Sequence, residues 1–137
     1  MTFKINLEEL NPGTFFSFDK ENPDEGITLR VLNHEALNEI SKKTQIRRSE
    51  VKGDPPTRFD YMEYREGGQE KEFALTWDYC IIDWKGVVDQ NGNEIPCTSE
   101  NKVKLMSGSV SFSDFVVKCT RKLNEASINQ EKVREGN

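Results

Sequence analysis

A chain of 137 residues with 34% apolar and 31% charged side chains has room for one domain around one modest core, under a large solvated surface. Its 19 basic and 24 acidic residues leave a net charge of −5, which argues against the basic stripe of a protein held on nucleic acid by its field. The acidic start MTFKINLEEL lacks the basic and apolar regions of a secretory signal, and no run approaches the ~20 apolar residues of a membrane span, so a cytoplasmic protein is expected.

In chain order, Thr14–Asp19 is aromatic with a polar interruption, and 26–32 alternates apolar with polar residues. The pair predicts a β-hairpin across the polar turn 20–25. Asn33 then offers a side-chain cap, and Ala36, Leu37 and Ile40 fall on one face of a helix over His34–Thr44. From Gln45 to Thr57 the chain is charged and carries Gly53-Asp54-Pro55-Pro56, which predicts a loop, with the basic cluster at Arg47, Arg48 and Lys52 solvated. Arg58 to Tyr64 has the alternation of a third strand, closed by Gly67-Gly68. Its Phe59, Tyr61 and Tyr64 either form an exposed aromatic platform or, the commoner fate, pack on the helices.

Gln69 to Trp84 places Phe73, Trp77, Ile81 and Trp84 at spacings of four, four and three, beside Ala74 and Cys80, which predicts a helix. Burying its aromatics gains roughly 1.5–3 kcal/mol for each large side chain, so this helix is expected to be the centre of the core. Ser109 to Leu123 aligns Phe112, Phe115, Val116, Cys119 and Leu123 on one face of another helix, capped by Ser109 or Ser111. Residues 124–137 have few apolar groups and predict a frayed tail. The expectation is therefore an α+β fold, with N-terminal antiparallel strands (a hairpin plus a third strand) packed on mainly C-terminal helices in one domain over 1–123.

Between the two strongest helices lies WKGVVDQNGNEIPCTSENKVKLM, Trp84 to Met106. Read as an EF-hand, Asp89, Asn91, Asn93 and Glu100 occupy the first, third, fifth and twelfth places of a calcium loop. The sixth place, where that loop needs glycine for its sharp turn, holds Glu94, and Pro96 occupies the eighth. A structural reading accounts for more residues. Val87-Val88 is a short strand, Asn91-Gly92 a tight turn with positive φ angles, and Pro96 ends the pairing. Thr98 or Ser99 caps a following helix whose first turn holds Glu100, with Val103 and Leu105 or Met106 facing inward. The cysteines Cys80, Cys97 and Cys119 are an odd number without a CxxC pair, and His34 is the single histidine, so neither a disulfide framework, a metal site nor a Cys–His nucleophile is signalled. No GxSxG or glycine-rich phosphate loop occurs, so no enzyme and no cofactor are expected.

The block Trp84-Lys85-Gly86-Val87-Val88-Asp89 through Gly92, Ile95-Pro96-Cys97-Thr98 and Glu100-Asn101 resembles the segment W-x-G-V-V-D-x-x-G-x-x-I/V-P-C/F-T-x-E-N of tail assembly chaperones from long-tailed bacteriophages and prophages. The preceding helix with Trp77 and the following Phe112-x-x-Phe115-Val116 helix are also similar, so the resemblance spans about Gln69–Leu123. In it Trp77, Trp84, Gly86, Val87, Val88, Gly92, Pro96 and Glu100 are architectural. The resemblance implies a non-enzymatic protein that coats and solubilises the tape-measure protein, helps recruit tail-tube subunits, and forms homo-oligomers. It implies no nucleic-acid or membrane partner. Phe59, Tyr61, Phe112 and Phe115 are the candidates for a client or oligomer interface. The alternative is a small cytoplasmic adaptor or regulatory protein, for instance one that meets nucleic acid through Arg47 and Arg48.

Overall fold

Aromatic and β-branched residues build the first sheet. A computed structural model describes residues 2–5 and 11–135, with side chains as far as residue 126 and at 128. Strands β1 (Thr14–Asp19) and β2 (Asn22–Leu29) pair antiparallel, from Thr14 opposite Leu29 to Asp19 opposite Asn22. The turn between them is thus only Lys20-Glu21, where a longer one over 20–25 was expected, and Pro23 to Glu25 lie in β2. Strand β2 also stops at Leu29 rather than running to Leu32: the Arg30 N–H still donates to the Cys80 carbonyl, but Cys80 ends a helix, so no strand lies opposite to continue the pairing.

Helix α1 (His34–Thr44) begins as its sequence dictates, with the Asn33 side chain accepting from the Ala36 N–H at 2.9 Å. Its buried residues are Ala36, Ile40 and Thr44, at the i, i+4 spacing of one face, so Leu37 points to solvent instead of inward. The charged stretch after it is not a loop. It forms strand β3 (Gln45–Lys52), which pairs in unbroken register with β4 (Thr57–Tyr64) across the turn at 53–56. This two-stranded ribbon is a sheet of its own, so the third strand of the sequence reading finds its partner in β3 and not in the first hairpin.

Helix α2 (Gly68–Cys80) ends four residues earlier than its apolar spacing suggested, and Ile81–Lys85 form β5. Strand β5 adds to β2, with Trp84 opposite Ile27 and Ile81 opposite Leu29, giving the order β1-β2-β5. A register shift beside Leu29 bulges Ile82 out of the ladder, so residues three apart, Ile81 and Trp84, reach the same buried side. That spacing imitates a helix, which is why the sequence pattern misled.

Helices α3 (Ser99–Gly108) and α4 (Val110–Glu135) complete the fold. The backbone of α4 stays helical through 124–135, past the end expected near Leu123. The core unites Ile27 and Leu29 of β2, Ile81 and Trp84 of β5, Met106 of α3, and Val116 and Cys119 of α4. The chain is a single α+β domain of N-terminal antiparallel strands and C-terminal helices, and α2 contributes the half-buried Trp77 at the core's edge instead of its centre.

Candidate functional site

The Trp84–Asn101 segment forms a compact hairpin clamped to the core. The Trp84 indole N–H donates to the Ile95 carbonyl at 2.7 Å, and its ring meets Phe112 edge-on at 5.6 Å between centroids. Gly86 turns the chain at φ 85°, where a side chain would also run into that of Glu25. The Ile95 N–H returns to the Val87 carbonyl at 2.9 Å, and Val88 bridges Glu94. At the tip Asp89 Oδ1 accepts from the N–H groups of Asn91 and Asn93 at 2.9 and 3.0 Å, while the Gly92 N–H closes on the Asp89 carbonyl at 3.0 Å. Of the Asn-Gly pair only Gly92 takes a positive φ, 81°; Asn91 does not. Asp89 thus works as a turn residue, satisfying backbone donors with one carboxylate oxygen.

Past Pro96 the chain enters α3 through a double cap. Thr98 Oγ1 accepts from the Asn101 N–H at 3.2 Å, and the Asn101 amide donates back to the Pro96 carbonyl at 2.9 Å. Glu100 is exposed in the helix's first turn. The same turn is tied to the end of α2: Asp78 Oδ1 accepts from the Ser99 hydroxyl at 2.6 Å and from the Lys102 ammonium at 3.1 Å. The Ser99 hydrogen bond, helped by Lys102 and opposed by desolvation, holds the Asp78 carboxyl below its usual range.

Chemically reactive groups are muted. Burial pushes the Cys80 thiol up to about 11 and also raises Cys97 and Cys119, so none is a ready thiolate. Among the described residues no group of three or more His, Cys, Asp or Glu side chains converges on a metal-sized position.

What the hairpin does create is a surface. It holds Val87 and Val88 beside Phe18 of β1 and Phe112 and Phe115 of α4, and these five line a shallow apolar cleft with Gly86 and Ser111 at its rim. Phe18 and Phe115 pack at 5.1 Å between ring centroids. Phe112 and Phe115 are each half-buried, one edge in the core and the other in the cleft. The architectural valines of the sequence motif and two of the predicted interface aromatics therefore meet across the fold. Trp77 stands apart, edge-on to Phe73 at 6.5 Å. Phe59 and Tyr61, the other two interface candidates, line no part of the cleft; both are exposed on β4.

The ribbon's cations are committed to its own carboxylates. Arg47 and Arg58 each lie 3.0 Å from Asp60, Arg48 lies 2.9 Å from Glu63, and Lys52 lies 3.0 Å from Glu50, which also accepts from the Tyr61 hydroxyl. A further groove between α1 and α2, unforeseen in the sequence, carries mixed charge around Arg30, Glu39, Lys43 and Tyr79, with the Arg30 guanidinium 3.8 Å above the Tyr79 ring.

Compared with known proteins, residues 30–137 match the family described as YdaY prophage protein, and the chain belongs to that family. No curated protein and no solved structure matches.

Proposed function

We propose that this member of the YdaY prophage family is a tail assembly chaperone, a non-enzymatic protein that binds and solubilises the tape-measure protein and helps recruit tail-tube subunits during tail morphogenesis in the bacterial cytoplasm. The observation that carries the reading is the cleft of Phe18, Val87, Val88, Phe112 and Phe115, built by the very hairpin whose residues resemble the chaperone segment. A long helical client offers apolar residues at i, i+3 and i+4, and a shallow apolar trough on an acidic body takes one such stripe while its charge keeps the complex in solution. Each contact of this kind is weak, and association between copies along one client multiplies it through effective concentration.

Nucleic acid is the poorer partner, because Arg47, Arg48 and Arg58 are already neutralised within the ribbon. No helix among the described residues is long and apolar enough to cross a membrane.

The test is co-expression with a tape-measure protein of the same prophage. A soluble co-purifying complex is expected, weakened by Val88→Asp, a substitution at an exposed cleft residue that the core tolerates. A tape measure that stays insoluble and unbound rejects the reading. Retention on DNA that falls with salt favours the regulatory alternative instead.

A further inference from the structure

The β3–β4 ribbon has features the cleft does not explain. Residues 45–64 stand as an eight-residue ladder on each side, roughly 25 Å long at ~3.3 Å per residue, and among the described residues no other strand lies beside either edge. Directly opposed residues share a face. One face carries Arg47, Ser49, Val51, Arg58, Asp60 and Met62; the other carries Ile46, Arg48, Glu50, Phe59, Tyr61 and Glu63. Apolar side chains are exposed on both, Val51 at 69% and Met62 at 53% on the first, Phe59 at 51% on the second. A two-stranded ribbon wet on both faces is marginal in water, and an unpaired edge is a template for another strand.

Its root, by contrast, is fixed. The Thr44 carbonyl, at the junction of α1 and β3, accepts from the Arg65 N–H at 2.9 Å, and the buried Gly68 packs against the same carbonyl so closely that a Cβ would collide with it. The Tyr64 hydroxyl donates to Glu72 of α2 at 3.0 Å. The ribbon is an arm held at a set angle, with its edges left open.

Charge selects what meets those edges. Arg47, Arg48, Lys52 and Arg58 are balanced within the arm by Glu50, Asp54, Asp60 and Glu63, so the net −5 of the chain lies entirely outside it. A charged polymer finds no net charge to hold it on the arm, and two copies of an acidic protein meet there without net repulsion. We infer that the outer edge of β3 pairs antiparallel with the same edge of a second copy of this chain, about a twofold axis at Ser49, joining two ribbons into a four-stranded sheet.

The register follows from geometry. A twofold between antiparallel strands runs perpendicular to the sheet and passes through a residue facing its own copy, because side chains must keep their faces. An axis at Ser49 sets Arg48 opposite Glu50 of the second copy, twice by symmetry, and Arg47 opposite Val51. An axis at Arg47, Arg48 or Glu50 sets like charges against each other, and on β4 an axis at Asp60 does the same while one at Tyr61 leaves Asp60 facing Met62; axes at Val51 and at Phe59 also oppose unlike charges but keep only 50–52 and 57–61 in the ladder, against 46–52 at Ser49. The inference deepens the self-association of the proposed function by naming its surface.

The test is cysteine cross-linking of the purified full chain. Ser49→Cys brings two thiols to a Cα separation of about 4.5–5.5 Å in either kind of antiparallel pair, inside the range a disulfide spans. Mild oxidation is expected to give a dimer on a non-reducing gel, with a mass-mapped bond between the introduced thiols. Val51→Cys, whose copy is displaced four residues or about 13 Å along the strand, is expected to give no more dimer than the wild type. Arg48→Glu is expected to lower the dimer fraction in sedimentation velocity, and Arg48→Glu with Glu50→Arg to restore it. Ser49→Cys that does not cross-link above wild type, Val51→Cys that cross-links equally, or a double exchange that restores nothing overturns the pairing. A monomer that still solubilises the tape measure overturns this inference alone; a cross-linked dimer that leaves the client insoluble upholds it and rejects the chaperone reading.

Discussion

Replacing Asp78 by asparagine tests how the motif helix is hung on the fold. The Lys102 side chain is only 9% exposed, yet its ammonium sits 3.1 Å from Asp78 Oδ1, and the Asp78 side chain is 43% exposed. Asp78→Asn preserves shape and removes the counter-charge, leaving the ammonium with neutral acceptors alone, the amide oxygen and the backbone carbonyl of residue 78. Breaking a fully buried pair costs about 3–5 kcal/mol and an exposed one about 0–1, so this half-open pair is worth about 1–3 kcal/mol. In urea unfolding followed by far-UV circular dichroism, with m of about 1–3 kcal/mol/M, the midpoint should fall by about 1 M. Lys102→Met, which keeps the stem and removes the charge that needs pairing, should cost less. The pH dependence has a definite sign. Asp78 is held below its unfolded pKa of ~3.9, so its contribution is complete above that value and drains as pH falls through the folded one. Wild type should therefore lose stability on acidification below about pH 4 more steeply than Asp78→Asn. A variant as stable as wild type, or a Lys102→Met cost exceeding that of Asp78→Asn, refutes the account.

Three further outcomes are expected. Ile81 is fully buried between β2 and the helices, so Ile81→Ala should cost about 2–5 kcal/mol in the same unfolding assay, whereas Ile82→Ala, at the exposed bulge, should cost far less; equal costs would contradict the strand assignment. Trp84→Phe keeps an aromatic ring against Phe112 but strands the Ile95 carbonyl, and should cost about 1–3 kcal/mol by thermal melting. With its thiol pushed up to about 11 and its side chain buried, Cys80 should be alkylated at mildly alkaline pH far more slowly in the native protein than in urea, as read by peptide mass spectrometry; equal rates would contradict its burial.

The elements legible in the sequence are those written in local chemistry. Asn33 and Thr98 cap helices through their own side chains, Gly92 turns a hairpin, and Phe112, Val116 and Cys119 form a stripe that any helix would bury. Strand β3 was not legible because hydrophobic alternation records one buried face, and this strand has none: its residues beyond Ile46 are exposed on both sides. Strand β5 was hidden by its bulge, which gives Ile81 and Trp84 a helical spacing. The cleft was half legible. Phe112 and Phe115 declare themselves on their helix, but Val87 and Val88 join them only because the indole of Trp84 fastens the hairpin across the core.

The two exposed apolar surfaces differ in a way that separates their tasks. The cleft's Phe18, Val87, Phe112 and Phe115, from β1, the hairpin and α4, pack against the core, so under the proposed function its shape would be set before a client arrives and a bound stripe would gain from that preorganisation. The arm has no core behind it; what it offers is backbone, a row of unpaired N–H and C=O groups flanked by charges already satisfied within the ribbon. Backbone pairing is insensitive to client sequence and demands only a strand of matching charge pattern, which a second copy supplies. Side-chain packing in the cleft needs an apolar stripe and no hydrogen-bonding edge, which a helix supplies. On the proposed readings a helical client cannot satisfy the arm and another arm cannot fill the cleft, so copies joined edge to edge would keep their clefts free for the client.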